Sequence, residues 1–126
     1  MSLNEKQQEV VDSINGQFVV TAGPGSGKTR CIVERVANLI DKGVNPSHIL
    51  CLTFTNKAAN EMRERICKRL NIDDATFYIG TFHSLCVKIL RRVGTKIGYT
   101  PGFSIFDSND QTSLLKSLAR QMGFDI

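Results

Sequence analysis

The chain has 126 residues, 41% of them hydrophobic and 22% charged, with 16 Lys and Arg against 12 Asp and Glu for a formal net charge of +4. That length suits one small domain, and the balance is that of a globular protein, not of a disordered or collagen-like chain. No apolar run approaches a membrane span and the polar start Met1-Ser2-Leu3-Asn4-Glu5-Lys6-Gln7-Gln8 is not an export signal, so the expectation is a cytoplasmic protein with no membrane partner.

The first apolar period predicts a helix from about Glu5 to Ile14, with Val10, Val11 and Ile14 inward and Gly16 as its stop. A β-branched run at Phe18–Thr21 reads as a strand. It leads into the turn Ala22-Gly23-Pro24-Gly25-Ser26-Gly27 and then Lys28-Thr29 at the start of an amphipathic stretch that carries Ile32, Val33, Val36, Leu39 and Ile40 inward before Gly43. Glycines let successive backbone N–H groups converge, a helix N-terminus adds its positive end, Lys28 supplies a point charge for phosphate oxygens, and Thr29 offers a hydroxyl to Mg²⁺. A plain strand-to-helix turn needs one glycine and no Lys-Thr pair. Strand, turn and helix therefore predict a phosphate loop for a nucleoside triphosphate, although Ala22 stands where the strict G-x-x-x-x-G-K-[ST] pattern has glycine.

Ile49–Phe54 reads as a buried strand, and Ala58, Ala59, Met62, Ile66 and Leu70 fall on one face of a helix. On that helix Glu61 and Arg65, and Glu64 and Lys68, have the spacing of surface ion pairs. A further strand is expected at Phe77–Gly80. The next helix should bury Leu85, Cys86, Ile89, Leu90 and Val93, and its Lys88, Arg91 and Arg92, with Lys96 beyond, are candidates for phosphate attraction. A loop containing Gly94, Gly98, Pro101 and Gly102 marks a subdomain boundary. Beyond it a short Phe103–Phe106 strand precedes a helix that Ser108 and Gln111 could cap as a box, with Asp107 a helix-start residue. The alternation predicts an α/β fold with a parallel sheet flanked by helices. Cys31, Cys51, Cys67 and Cys86 form no C-x-x-C pair, so buried thiols in a reducing compartment are expected.

Four segments carry a resemblance: Leu3-Asn4-Glu5-Lys6-Gln7-Gln8, Ala22 to Thr29, Thr53-Phe54-Thr55-Asn56-Lys57-Ala58-Ala59 with Glu61-Met62, and Gly80-Thr81-Phe82-His83-Ser84. In order and spacing the chain resembles the N-terminal part of the UvrD/Rep/PcrA family of superfamily 1 DNA helicases, whose phosphate loop reads A-G-x-G-S-G-K-T. The resemblance implies a RecA-like motor subdomain 1A over residues 1–93, and over 94–126 the connection to a helical insertion, subdomain 1B. It also implies an ATP-driven enzyme that moves 3′ to 5′ on single-stranded DNA and opens duplex junctions. Lys28 and Thr29 would then be catalytic. Gln7, Ala22, Gly23, Pro24, Gly25, Ser26, Gly27, Lys28, Thr29 and Arg30 would hold ATP, with Thr29 on Mg²⁺. Thr53, Phe54, Thr55, Asn56, Lys57, Thr81, Phe82, His83 and Ser84 would face DNA.

Bland readings stand beside these. Asn4 and Gln7 have the spacing of a capping box, so Gln7 reads equally as a cap or as an adenine contact, and Thr55 or Asn56 could cap a helix while Phe54 fills the core. The family's acidic Mg²⁺-binding tetrad and second-lobe arginines do not occur among these residues, so the chain is expected to be an N-terminal fragment. Alone, it is expected to be inactive and prone to self-association through an unpaired strand edge. A small phosphate-loop kinase and a non-catalytic nucleotide- or DNA-binding module are the alternatives.

Overall fold

The computed structural model describes residues 3–124. Helix α1 (Glu5–Asp12) begins with a capping box: Gln7 N–H donates to Asn4 Oδ1 at 2.8 Å, and Asn4 N–H donates to Gln7 Oε1 at 2.9 Å. It stops earlier than its apolar period suggests, because Ser13 turns both its N–H and its hydroxyl back onto the Glu9 carbonyl. Ile14 therefore lies outside the helix and is exposed.

Helix α2 (Lys28–Asp41) carries the other half of that contact. The last carbonyls of a helix lack intrahelical donors. Here Arg35 donates to Val10 O and Asn38 Nδ2 donates to Val11 O at 3.0 Å, so α2 caps α1 from the side. The opposite face of α2 buries Val33 and Val36 in a core with Ile49, Cys51, Met62, Ile66, Phe77 and Ile79, against which Leu39, Ile40 and Leu70 pack at half burial. Ile32, expected inward, is exposed, and Cys31 and Ala37 are buried in its place.

The sheet has two strands among the described residues, β1 (Leu50–Thr53) and β2 (Tyr78–Thr81), paired in parallel from Leu50↔Tyr78 to Thr53↔Thr81. The connecting helix α3 (Asn56–Leu70) buries Ala59, Met62 and Ile66, while Ala58 is exposed. Ile66 is 0% exposed, and burial of a side chain of that size contributes about 1.5–3 kcal/mol. The ion pairs of α3 reach outside the helix, unlike the i,i+4 pairs its spacing offers. Arg63 donates to Asp74 at 2.8 Å and Arg69 pairs with Glu34 of α2 at 2.8 Å. The Ala75 backbone N–H, and then Arg63, hold the exposed Asp74 carboxyl below its ordinary range. Their contribution to folding is complete above the unfolded carboxylate pKa and is lost as pH falls through the lowered value.

Two expected strands do not form. Phe18–Thr21 has no ladder partner among the described residues, and a β-branched sequence makes a strand only where another strand supplies its hydrogen bonds. Val19 is 94% exposed, and Phe18 is tethered by the Arg35 guanidinium 5.5 Å above its ring. Phe103–Phe106 is likewise unpaired.

By its contacts the chain divides into two compact units, one through Cys86 and one from Val87, so that the division falls within α4 (Phe82–Val93). No residue of α4 is fully buried, contrary to the expected inward face: Leu85 and Leu90 are half-buried, and Cys86, Ile89 and Val93 are exposed. In the second unit, Tyr99 packs edge-on to Phe103 at 5.7 Å, and α5 (Ser108–Gln121) starts one residue before the expected box. Asp107 accepts from both Asn109 N–H and Asp110 N–H, and Asp110 reaches back to Asp107 N–H. A carboxylate satisfies two amides and complements the helix dipole, which a Ser108 hydroxyl cannot match. The four cysteines are free thiols. Cys31 and Cys51 are buried as expected, Cys67 is half-buried, and Cys86 is exposed. Burial pushes the Cys51 thiol up to about 11. Among the described residues no helix is long and apolar enough to cross a membrane.

Candidate functional site

The turn from Ala22 to Gly27 is built by backbone conformations that disfavour a side chain. Gly25 has φ +71° and Gly27 has φ +84°, and Ser26 N–H closes a turn on Gly23 O at 3.4 Å. Gly27 is the N-cap residue of α2 and supplies no side-chain cap, and the first helical turn holds Lys28 with no acidic residue. A cation at a helix N-terminus opposes the dipole, which an anion placed there would complement. Lys28 Nζ donates to Ala22 O and Gly23 O, each at 2.7 Å, which holds the ammonium over the loop. Two of its three N–H donors are thus on carbonyls, a weaker acceptor than an anionic oxygen.

Gln7 takes the capping role that its spacing from Asn4 offers, and also tethers the loop. Its Oε1 belongs to the capping box, and its Nε2 donates to Ser26 O at 2.9 Å, nineteen residues away in the chain. A Cβ on Gly27 would meet Gln7 Nε2 at 3.2 Å, so the glycine also lets α1 approach the loop. Each end of the amide retains one further hydrogen-bonding site. The space beside it, about 630 Å³, is bounded by α1 residues including Gln7 and Val10, by the Phe18–Ala22 segment, and by Ser26 and Lys28. A second cavity of about 310 Å³ lies over the helix start, lined by Gly25 to Arg30 and by Arg65 of α3. Arg65 was assigned from sequence to a surface pair with Glu61. Residue spacing within one helix carries no signal that Arg65 lines the cavity beside the loop.

The second group of candidate residues lies at the C-terminal ends of the parallel strands, where loops leave an open sheet. Thr53 and Thr81 are register partners, so Phe54 and Phe82 follow them at the same edge. Phe54 is 85% exposed and Phe82 is 56% exposed, which excludes the core reading of Phe54. Thr55 is the N-cap of α3, its hydroxyl accepting Ala58 N–H at 3.2 Å, and Thr53 donates to Thr55 O at 2.9 Å. Asn56 and Lys57 open the helix and are exposed. His83 is exposed in the first turn of α4. Thr81 is buried, and Ser84 Oγ makes hydrogen bonds to it. In the second unit, Lys88, Arg91, Arg92 and Lys96 are exposed.

Residues 3–126 match the model of the UvrD/REP helicase N-terminal domain. The chain is 43% identical over 124 residues to the ATP-dependent DNA helicase PcrA of Staphylococcus aureus (strain Mu50), covering 98% of this chain and 17% of that protein. It is 46% identical over 124 residues to PcrA of Bacillus subtilis (strain 168) and 46% identical over 125 residues to PcrA of Leuconostoc citreum, with the same coverage of 98% and 17%. The chain thus spans about a sixth of the length of these relatives. It belongs to the UvrD/REP helicase N-terminal domain family.

Proposed function

We propose that this chain is the ATP-binding part, and one portion of the single-stranded DNA surface, of an ATP-dependent DNA helicase that moves 3′ to 5′ and opens duplex junctions. The observation that carries the reading is the uncapped α2 N-terminus, with Lys28 poised over a loop turned by two left-handed glycines. Gly23 to Thr29 hold the phosphates: Lys28 exchanges its carbonyl acceptors for phosphate oxygens, and the α2 dipole favours the same charge. Thr29, half-buried at the helix start, has the hydroxyl that suits Mg²⁺, which when bound neutralises phosphate charge. Gln7 presents its remaining donor and acceptor to adenine, and Ala22, Pro24 and Arg30 complete the rim. Phe54 and Phe82 offer ring faces on which bases stack whatever their identity, while Thr53, Thr55, Asn56, Lys57, Thr81, His83 and Ser84 line the backbone path. Residues 1–93 are read as motor subdomain 1A of RecA-like type and 94–126 as the start of subdomain 1B, in a cytoplasmic enzyme. The relatives' name as ATP-dependent DNA helicases supports this reading.

Three outcomes follow. Lys28→Ala in the intact protein abolishes ATP-driven unwinding while its circular dichroism spectrum is retained, since Lys28 touches loop carbonyls and no core side chain; unwinding at the parent rate would contradict the phosphate-loop assignment. Phe54→Ala weakens binding of oligothymidylate and oligoadenylate alike by roughly 1–3 kcal/mol. A fall in melting temperature at unchanged affinity would instead give Phe54 a packing role. The 126 residues alone self-associate through the exposed Phe18-Val19-Val20 segment and hydrolyse ATP negligibly, to be read by sedimentation and steady-state assay; a monodisperse monomer with DNA-stimulated turnover is the contrary result.

A further inference from the structure

The turn joining β2 to α4 has no loop: the strand ends at Thr81 and the helix begins at Phe82. Such a junction must be held by side chains, and here Ser84 Oγ is its centre. It donates to Thr81 O at 2.9 Å, accepts Thr81 N–H at 3.0 Å, and lies 2.9 Å from Tyr78 Oη and 3.0 Å from Thr81 Oγ1, while Ser84 N–H donates to Thr81 Oγ1 at 3.1 Å. A serine hydroxyl has one hydrogen and two lone pairs. Its neighbours within the protein already fill that capacity, and of them Tyr78 Oη alone comes from outside the turn.

Tyr78 reaches Ser84 only because residue 80 is glycine. Tyr78 and Gly80 share a face of β2, and a Cβ on Gly80 would meet Tyr78 Oη at 2.6 Å, Tyr78 Cζ at 2.9 Å and Ser84 Oγ at 3.0 Å. Real Cβ atoms do not approach so closely. The ring lies across the bare glycine backbone and delivers its hydroxyl to the turn. Gly80 has no positive φ to demand glycine, so this close approach is what the residue accommodates.

We propose that Tyr78 is a positioning residue for single-stranded DNA: its hydroxyl, passing over Gly80, locks Ser84 so that the turn presents Phe82 and His83 outward in one orientation. Ser84 then serves the strand by holding the turn and not through its own hydroxyl, which is already saturated. The proposal rests on the DNA-facing reading of this edge.

The test measures binding of fluorescein-labelled oligothymidylate to the intact protein, well below the melting temperature, for Tyr78→Phe, Ser84→Ala and the double variant. Tyr78→Phe weakens binding by about 3- to 10-fold, the effect of one hydrogen bond, and Ser84→Ala, which also removes the bonds to Thr81, weakens it by at least as much. The double variant is no worse than the weaker single, because both remove the same link. Affinity for Mg·ATP and the slope of log affinity against log salt stay at parent values, since the phosphate contacts are untouched. Parent-like DNA affinity in Tyr78→Phe overturns the proposal whatever happens to the melting temperature, as does full additivity in the double variant or an equal loss of nucleotide affinity. Phe54→Ala and Phe82→Ala separate the two levels. If they weaken DNA binding and Tyr78→Phe does not, the positioning role alone fails; if neither weakens it, the DNA-facing reading fails and the positioning role with it.

Discussion

Helix α2 buries Val33 and Val36 in the core while its first turn emerges from the glycine turn ending at Gly27, and that packing orders most of the first unit. From the same helix Arg35 and Asn38 cap the end of α1, which brings Gln7 to Ser26. Glu34 ties α2 to Arg69, and α3 in turn brings Arg65 to the rim of the cavity over Gly25–Arg30. The polar contacts are individually modest, about 0.5–1.5 kcal/mol each for a net hydrogen bond. They act on elements already aligned by apolar burial, so they fix orientation more than they supply stability.

The two candidate surfaces share this frame. Thr55 caps α3 at the edge where Phe54 is exposed, and nearly three turns later the same helix carries Arg65 beside the loop. A helix with one end at the proposed DNA edge and its middle at the proposed nucleotide cavity is the physical element that would couple occupancy of one surface to the other. The buried Ala59, Met62 and Ile66 make it move with the core, not independently of it.

Much of this was legible in residue order. The helices, the two paired strands and the glycine turn ahead of α2 follow from period and glycine placement, and the two strand ends were placed within a residue. What failed were inferences that depend on partners distant in sequence. Phe18–Thr21 has strand composition, yet a strand is a property of two segments, and the inward face of α4 needed a covering element that its own sequence cannot specify. Arg65 and Tyr78 escaped for a related reason: one is brought to the loop by helix packing, and the other matters through a glycine two residues on. The capping reading of Gln7 was visible in its spacing from Asn4, whereas its tether to Ser26, nineteen residues away, was not.

Amide hydrogen exchange of the intact protein, followed with a saturating non-hydrolysable Mg·ATP analogue and separately with oligothymidylate, tests most directly whether these are two ligand surfaces on one frame. Nucleotide should slow exchange across Gly23–Arg30, and single-stranded DNA should slow it at Phe54–Lys57 and Phe82–Ser84. Unchanged exchange at Gly23–Arg30 with nucleotide bound, or DNA protection that misses both strand ends, would contradict it.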